Sequence, residues 1–178
     1  MSTPSAPTAF HLSYDAEEDR ILIAVDVDGG RRYGMGLTRR LVKLVLAALA
    51  DLSVKRSEAA AAADPQHRDI VLNFEHARAV AEGLASGNTR RREAPKPLVQ
   101  PARLVHEVKL TPRPGGGVIV ACDDRQRVLS LDLPPARVHS FMAGMLDLAA
   151  GAGWDLPLIA AWLDRAGAGD AGSPRVVH

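Results

Sequence analysis

Nine basic residues stand in two short runs, Arg31, Arg32, Arg39, Arg40 and Lys43 in one and Arg90, Arg91, Arg92 and Lys96 in the other. Cationic groups at this density contact phosphates, and a nucleic-acid backbone is the partner that such runs would serve if they folded onto one surface. Their alternative role is to solvate a face and a loop. Binding of single strands also needs aromatic faces on which bases stack. The chain holds three Phe, two Trp and two Tyr, and only Tyr14 and Tyr33 fall well inside strand-like stretches.

The remaining reactive side chains form no recognisable set. His11, His67, His76, His106, His139 and His178 include no i, i+4 pair and no carboxylate at a spacing that completes a facial metal site. Cys122 is the single cysteine, so neither an intrachain disulfide nor a thiolate cage can form. Paired with His139 it would make a nucleophile and a base, but its place in a strand beside an Asp-rich turn reads as a structural thiol. Asp26-Val27-Asp28-Gly29 begins like a calcium loop and lacks its later ligands, which leaves a hairpin turn. Gly34-Met35-Gly36 and Gly115-Gly116-Gly117 have neither the Walker lysine nor the dinucleotide context. No catalytic residue, cofactor or metal is expected.

These side chains are carried by a chain of 178 residues, 47 % hydrophobic and 24 % charged, with 22 Lys and Arg against 21 Asp and Glu. That is the range of a folded globular chain, long enough for one core. The near-zero balance conceals segments: residues 1–30 sum to −5, 31–56 to +6 and 90–113 to +5. The polar, Pro-rich start has the wrong composition for a signal peptide, and no apolar run reaches the length of a membrane span. Together with the lone cysteine this predicts a cytoplasmic protein.

Shifting the chain by 96 residues aligns Arg20 to Leu52 with Gly116 to Leu148 without a gap, with identities that include Ile23/Ile119, Leu37/Leu133, Val42/Val138 and Asp51/Asp147. The predicted elements coincide at the same shift. His11 to Asp15, Ile21 to Val27 and Arg32 to Leu37 read as strands, followed by a helix capped by Thr38 with a stripe of Leu41, Leu44, Val45, Ala48, Leu49 and Leu52. Leu104 to Leu110, Val118 to Cys122 and Arg127 to Leu133 repeat the strands, and Pro134-Pro135 opens a helix with Val138, Phe141, Met142, Met145 and Leu148 inward. A connecting helix starts at Asp64-Pro65 and turns Ile70, Phe74, Ala77, Ala81 and Leu84 toward the core. A last helix, Asp155 to Arg165, offers Ile159, Trp162 and Leu163 for docking on self or on a partner.

The expected fold is therefore α+β: tandem β-β-β-α units (11–63 and 103–151) about a pseudo-twofold, forming an antiparallel six-stranded sandwich or curved sheet. A helical insertion (64–87) and an exposed basic, Pro-rich loop (88–102) separate the units. The single domain spans 10–165, the terminal helix 155–165, and the tails are 1–9 and 166–178. This order of blocks resembles that of the single-strand-binding Pur and Whirly proteins. It is also similar to the head domain of end-joining and centriole scaffold proteins, with their helical insertion between two sheets. Neither likeness carries over a functional residue. The expected function is a non-catalytic protein-interaction or assembly module, binding a protein partner or itself. The alternatives are nucleic-acid binding through 31–43 and 90–96, and a small enzyme or ligand-binding regulator with its site between the two units.

Overall fold

A computed structural model describes residues 10–27, 31–85, 98, 100–156 and 159–164. Strands β1 (His11–Asp15), β2 (Arg20–Val27) and β3 (Arg31–Leu37) form an antiparallel meander. Helices α1 (Arg39–Arg56), α2 (Glu58–Ala62) and α3 (Arg68–Ala85) follow, then β4 (Arg103–Leu104). A second meander, β5 (Glu107–Pro112), β6 (Val118–Asp123) and β7 (Val128–Leu133), leads into α4 (Pro135–Gly151) and the short α5 (Ala161–Asp164).

The fold is α+β, as expected, but its strands do not form one six-stranded sheet. They divide into a four-stranded sheet, β1-β2-β3-β4, and a three-stranded sheet, β5-β6-β7. The stretch read as one strand from Leu104 to Leu110 breaks in two. Its first part pairs parallel with β3, Met35 opposite Arg103, while its second pairs with β6. Buried Val105 sits at the break, donating its N–H to Gly36 O at 2.9 Å, and His106 N donates to Asp123 O at 2.8 Å. Two consecutive amides thus tie the two sheets together.

Strand, strand, strand, helix occurs in both arms of the chain, but the two run in step at 96 residues only in part. In β2 the inward residues are Ile21, Ile23 and Val25, and in β6 they are Val118, Val120 and Cys122. Ile23 therefore matches Val120 rather than Ile119, a correction forced by strand parity, since a slip of one residue reverses every side chain. The cause is a hairpin one residue shorter in the second arm: Val25 to Met35 is a step of ten residues where the matching Cys122 to Leu131 is a step of nine, and Arg125 takes φ 73° in the tighter turn. In β7 and α4 the shift returns to 96: Met35 and Leu37 match Leu131 and Leu133, and Val42, Val45, Leu46 and Leu49 match Val138, Phe141, Met142 and Met145.

Local chemistry fixes the helix ends. Thr38 Oγ1 accepts from Leu41 N at 3.3 Å, as the sequence predicts. Ser57 ends α1 and caps α2, accepting from Ala60 N at 2.8 Å. Asp64-Pro65 opens a turn, and α3 itself begins at Arg68. Helix α1 lies on β2, β3 and β5, and α4 on β1, β2 and β7, so each helix covers parts of both sheets. Gly144 lets β1 come close to α4, for a Cβ there would stand 2.9 Å from Leu12 Cδ1. Phe10 meets the buried Phe141 edge to face at 5.1 Å. Among the described residues, no helix is long and apolar enough to cross a membrane.

Candidate functional site

Helix α3 is apolar on two opposite sides. Its inner side holds Leu72, His76 and Gly83, facing α4 and α5. Gly83 permits the close approach, for a Cβ on it would be 2.5 Å from Ser140 Oγ. The stripe expected to point inward faces solvent instead: Ile70 is 55 % and Phe74 68 % exposed, and Ala77 and Ala81 continue the line. Leu72 and His76 fill the core contact because they lie two residues beyond each of the exposed pair, about 200° around the helix. Leu84 lies outside the residues whose side chains are described.

Beneath the exposed stripe is a histidine pair, His76 buried and His139 half-buried. His76 Nδ1 and His139 Nδ1 are 2.8 Å apart, which requires one ring to carry its proton on Nδ1 and the other to accept. Burial pushes His76 down to about 4. Burial also lowers His139, and the nearby Glu75 carboxylate partly opposes that shift. At neutral pH the pair is therefore an uncharged hydrogen bond that fastens α3 to α4.

Trp162 closes the cluster, its ring edge-on to His76 at 5.6 Å, and Asn73 donates to Trp162 O at 2.7 Å. Trp162 and Leu163, expected at a docking surface, are each 2 % exposed and belong to this chain's own core, with Ile159 partly buried against it. The Trp162 indole N–H is buried without a hydrogen-bond partner. A cavity of about 490 Å³ opens beside the pair, lined by Arg56, Glu58, Glu75, His139 and Trp162. Arg56 is already engaged there, donating to Gly117 O at 2.9 Å. Each histidine Nδ1 is occupied by the other ring, so this arrangement joins helices rather than activating a nucleophile.

The first basic run does not make one patch. Arg32 is buried, donating to Asp26 from Nε at 2.8 Å and from its terminal nitrogen at 3.2 Å, with His11 Nε2 at 2.9 Å. Those bonds, chiefly from the Arg32 guanidinium, hold the Asp26 carboxyl far below the ordinary carboxylate range. Arg39 pairs with Asp19 at 3.2 Å and lies 5.3 Å over the Trp154 ring. Asp19 also accepts from Tyr14 at 2.7 Å and Trp154 Nε1 at 2.6 Å, and its carboxyl is lowered, chiefly by the Tyr14 bond. Arg31, Arg40 and Lys43 are exposed, but Arg31 opens β3 while the other two follow its far end, about 20 Å along the strand. Arg90, Arg91, Arg92 and Lys96 lie outside the described residues, as do the two tails.

Cys122 is buried in the core, and that burial pushes its thiol up to about 12, so it is protonated and inert. Among the described residues, no three His, Cys, Asp or Glu side chains could hold a metal ion. Between the arms, a cavity of about 350 Å³ is lined by Tyr33, Met35, Arg103, Asp124, Arg127 and Leu129. Arg103 Nε lies 2.8 Å from Asp124 Oδ2, an ion pair without hydrogen-bond alignment, while Asp124 Oδ1 accepts from Gln126 N and Arg127 N. Those backbone bonds, Gln126 first, lower the Asp124 carboxyl.

The stripe is legible in the sequence but with the wrong side outward, and the histidine pair is not legible there. A signal for the inward side existed: Leu72, His76 and Gly83 trace a second line on α3, opposite the first. No protein family, curated protein or solved structure matches the chain.

Proposed function

We propose that this chain is a non-catalytic, cytoplasmic protein-interaction module that presents the outer face of α3 to a protein partner. The observation carrying this reading is Phe74, 68 % exposed, with Ile70 one turn before it. A Phe and an Ile lined up with two alanines on one rigid helix form a patch that water disfavours, and such patches serve interaction. The inner face of α3 is fully engaged with α4 and α5, so the helix keeps its position while its outer face is offered. The lone cysteine suits a reducing compartment. The same reading takes the two arms as copies of one β-β-β-α unit about a pseudo-twofold, supported by their matching order and by core positions that correspond in kind.

The test compares the wild-type chain with an Ile70→Lys, Phe74→Glu double variant, each purified from the native host under identical conditions. Loss of a stoichiometric companion, or of a second copy, from the variant alone is expected, with unchanged far-ultraviolet circular dichroism. Equal retention by both chains sinks the proposal.

A small-ligand regulator is the second reading, favoured by the cavity between the arms, where the buried Asp124 carboxylate meets the exposed Arg103. A thermal-shift screen across metabolite classes should then yield a stabilising ligand whose effect disappears in Arg103→Ala. A screen without any such ligand removes this reading.

A further inference from the structure

We infer that the partner of the α3 face is a second copy of this chain, bound by antiparallel pairing of the two α3 helices. The inference rests on the reading of that face as a docking surface and adds its occupant. Residues 70, 74, 77 and 81 follow one another at intervals of four, three and four, the spacing of a two-helix seam. At 100° per residue they lie within about 60° of arc, opposite the side that packs on α4.

The order of sizes along this seam selects the occupant. Over the four residues whose side chains are described, the first two are large, Ile70 and Phe74, and the last two small, Ala77 and Ala81. Parallel pairing sets Phe74 on Phe74 and Ala77 on Ala77, crowding one end and leaving a void at the other. Antiparallel pairing sets Phe74 over Ala77 of the second copy and Ile70 over its Ala81, each twice, so every layer joins one large and one small residue. An unrelated helix has no reason to carry this order reversed, whereas a second α3 carries it by symmetry.

The charges agree with this pairing. The nearest flanking residues are Val71 and Arg78 on one side and Asn73 and Val80 on the other. Reversal brings Arg78 beside Val71 of the second copy and Asn73 beside its Val80, so no like charges meet, and the two helix dipoles oppose. One helix pair of this length buries on the order of 1,000 Å² in total, near the lower limit for a specific interface. The dimer should therefore form and dissociate in the micromolar range.

The test is sedimentation velocity on the full chain from about 1 to about 200 µM, expected to rise from 19.0 kDa toward twice that mass. Phe74→Ala removes the large residue and Ala77→Phe opposes two phenylalanines, so each alone should weaken association about tenfold or more. Mixing the two variants restores a Phe over an Ala in both central layers and should recover wild-type association. Orientation is read by oxidative cross-linking. A chain carrying both Ile70→Cys and Ala81→Cys should form disulfide-linked dimers. Ile70→Cys alone should not, since its two copies would sit about 16 Å apart along the pair.

Cross-linking by Ile70→Cys alone overturns the antiparallel geometry. A wild-type monomer at every concentration overturns the second copy as occupant. In that case, a companion protein retained by the wild type and lost with Phe74→Glu leaves the docking reading standing, and equal retention removes both.

Discussion

The two long helices that close the arms occupy matching positions and have opposite outer faces. On α1 the outward residues are Arg40, Lys43 and Leu44, all exposed. Their counterparts 96 residues later on α4 are Ala136, His139 and Ser140, which lie under α3: Ser140 Oγ and Ala136 O are the atoms nearest Gly83, and His139 bonds His76. The inner faces, by contrast, correspond at four positions, Val42, Val45, Leu46 and Leu49 against Val138, Phe141, Met142 and Met145. The difference shows what fixes each half of a helix. The core side is dictated by the sheets beneath, whereas the outer side records whether another element covers it. Six charged residues on α1 against two on α4 are the trace of that cover.

The comparison can be broken, most severely from within. Phe141→Ala should destabilise the chain by about 3–5 kcal/mol in urea titration, because the ring is fully buried and Phe10 loses its partner. Its counterpart Val45→Ala removes fewer atoms and should lower stability less. On the outer faces the asymmetry becomes sharper. Ser140→Lys should cost about 3 kcal/mol and free α3 to proteolysis, since the long side chain enters the contact with Gly83. Leu44→Lys, its counterpart, should fall within about 0.5 kcal/mol of wild type, for Leu44 is 53 % exposed. In the strands, Asp26→Asn should cost about 2 kcal/mol by leaving buried Arg32 without its anion. At the matching place on β7 the arginine is replaced by Val128, which is exposed, so Val128→Thr should be close to neutral.

A further effect is one of pH. His76 is held at about 4 against an ordinary 6.5, so between those values the unfolded chain binds a proton that the folded chain refuses. The stability contributed by the neutral pair is complete above about pH 6.5 and is lost as pH falls through the window toward 4. Denaturant titrations of His76→Gln should show a shallower slope there than wild type. An unchanged slope would remove the pair as the origin. The α1 counterpart of His139 is Lys43, exposed to solvent.

Much of this was legible in the sequence, for reasons that are local. Thr38, the two prolines before α4 and the alternation in β2 and β6 act within a few residues of themselves. The inward face of α4 could be read because its outer face is short of large apolar groups. On α1 the apolar period places Leu44 inward and passes over Val42 and Leu46, because leucines and valines stand on both sides of that helix. Helix α3 was read inside out for the same cause: periodicity finds an apolar line but cannot choose between two of them. Strand β4 was invisible because its pairing with β3 depends on residues far apart in the chain. The gapless alignment concealed the shorter hairpin of the second arm, which the parity of Val120 against Ile119 exposes. Of the candidate site, the exposed stripe was present as residues but assigned to the wrong side.

The two-residue strand β4 has a consequence for the order in which the molecule assembles. Each hairpin closes over three to five residues, whereas the Met35–Arg103 pairing joins positions about 70 residues apart and must bear a larger closure entropy. The arms can form on their own local contacts, and the strap through Leu104 and Val105 can be tied only after both exist. Val105 N, bonded to Gly36 O, should then be among the first core amides to exchange with heavy water, ahead of the amides inside either meander. On that account the chain closes its two arms first and fastens them to each other last.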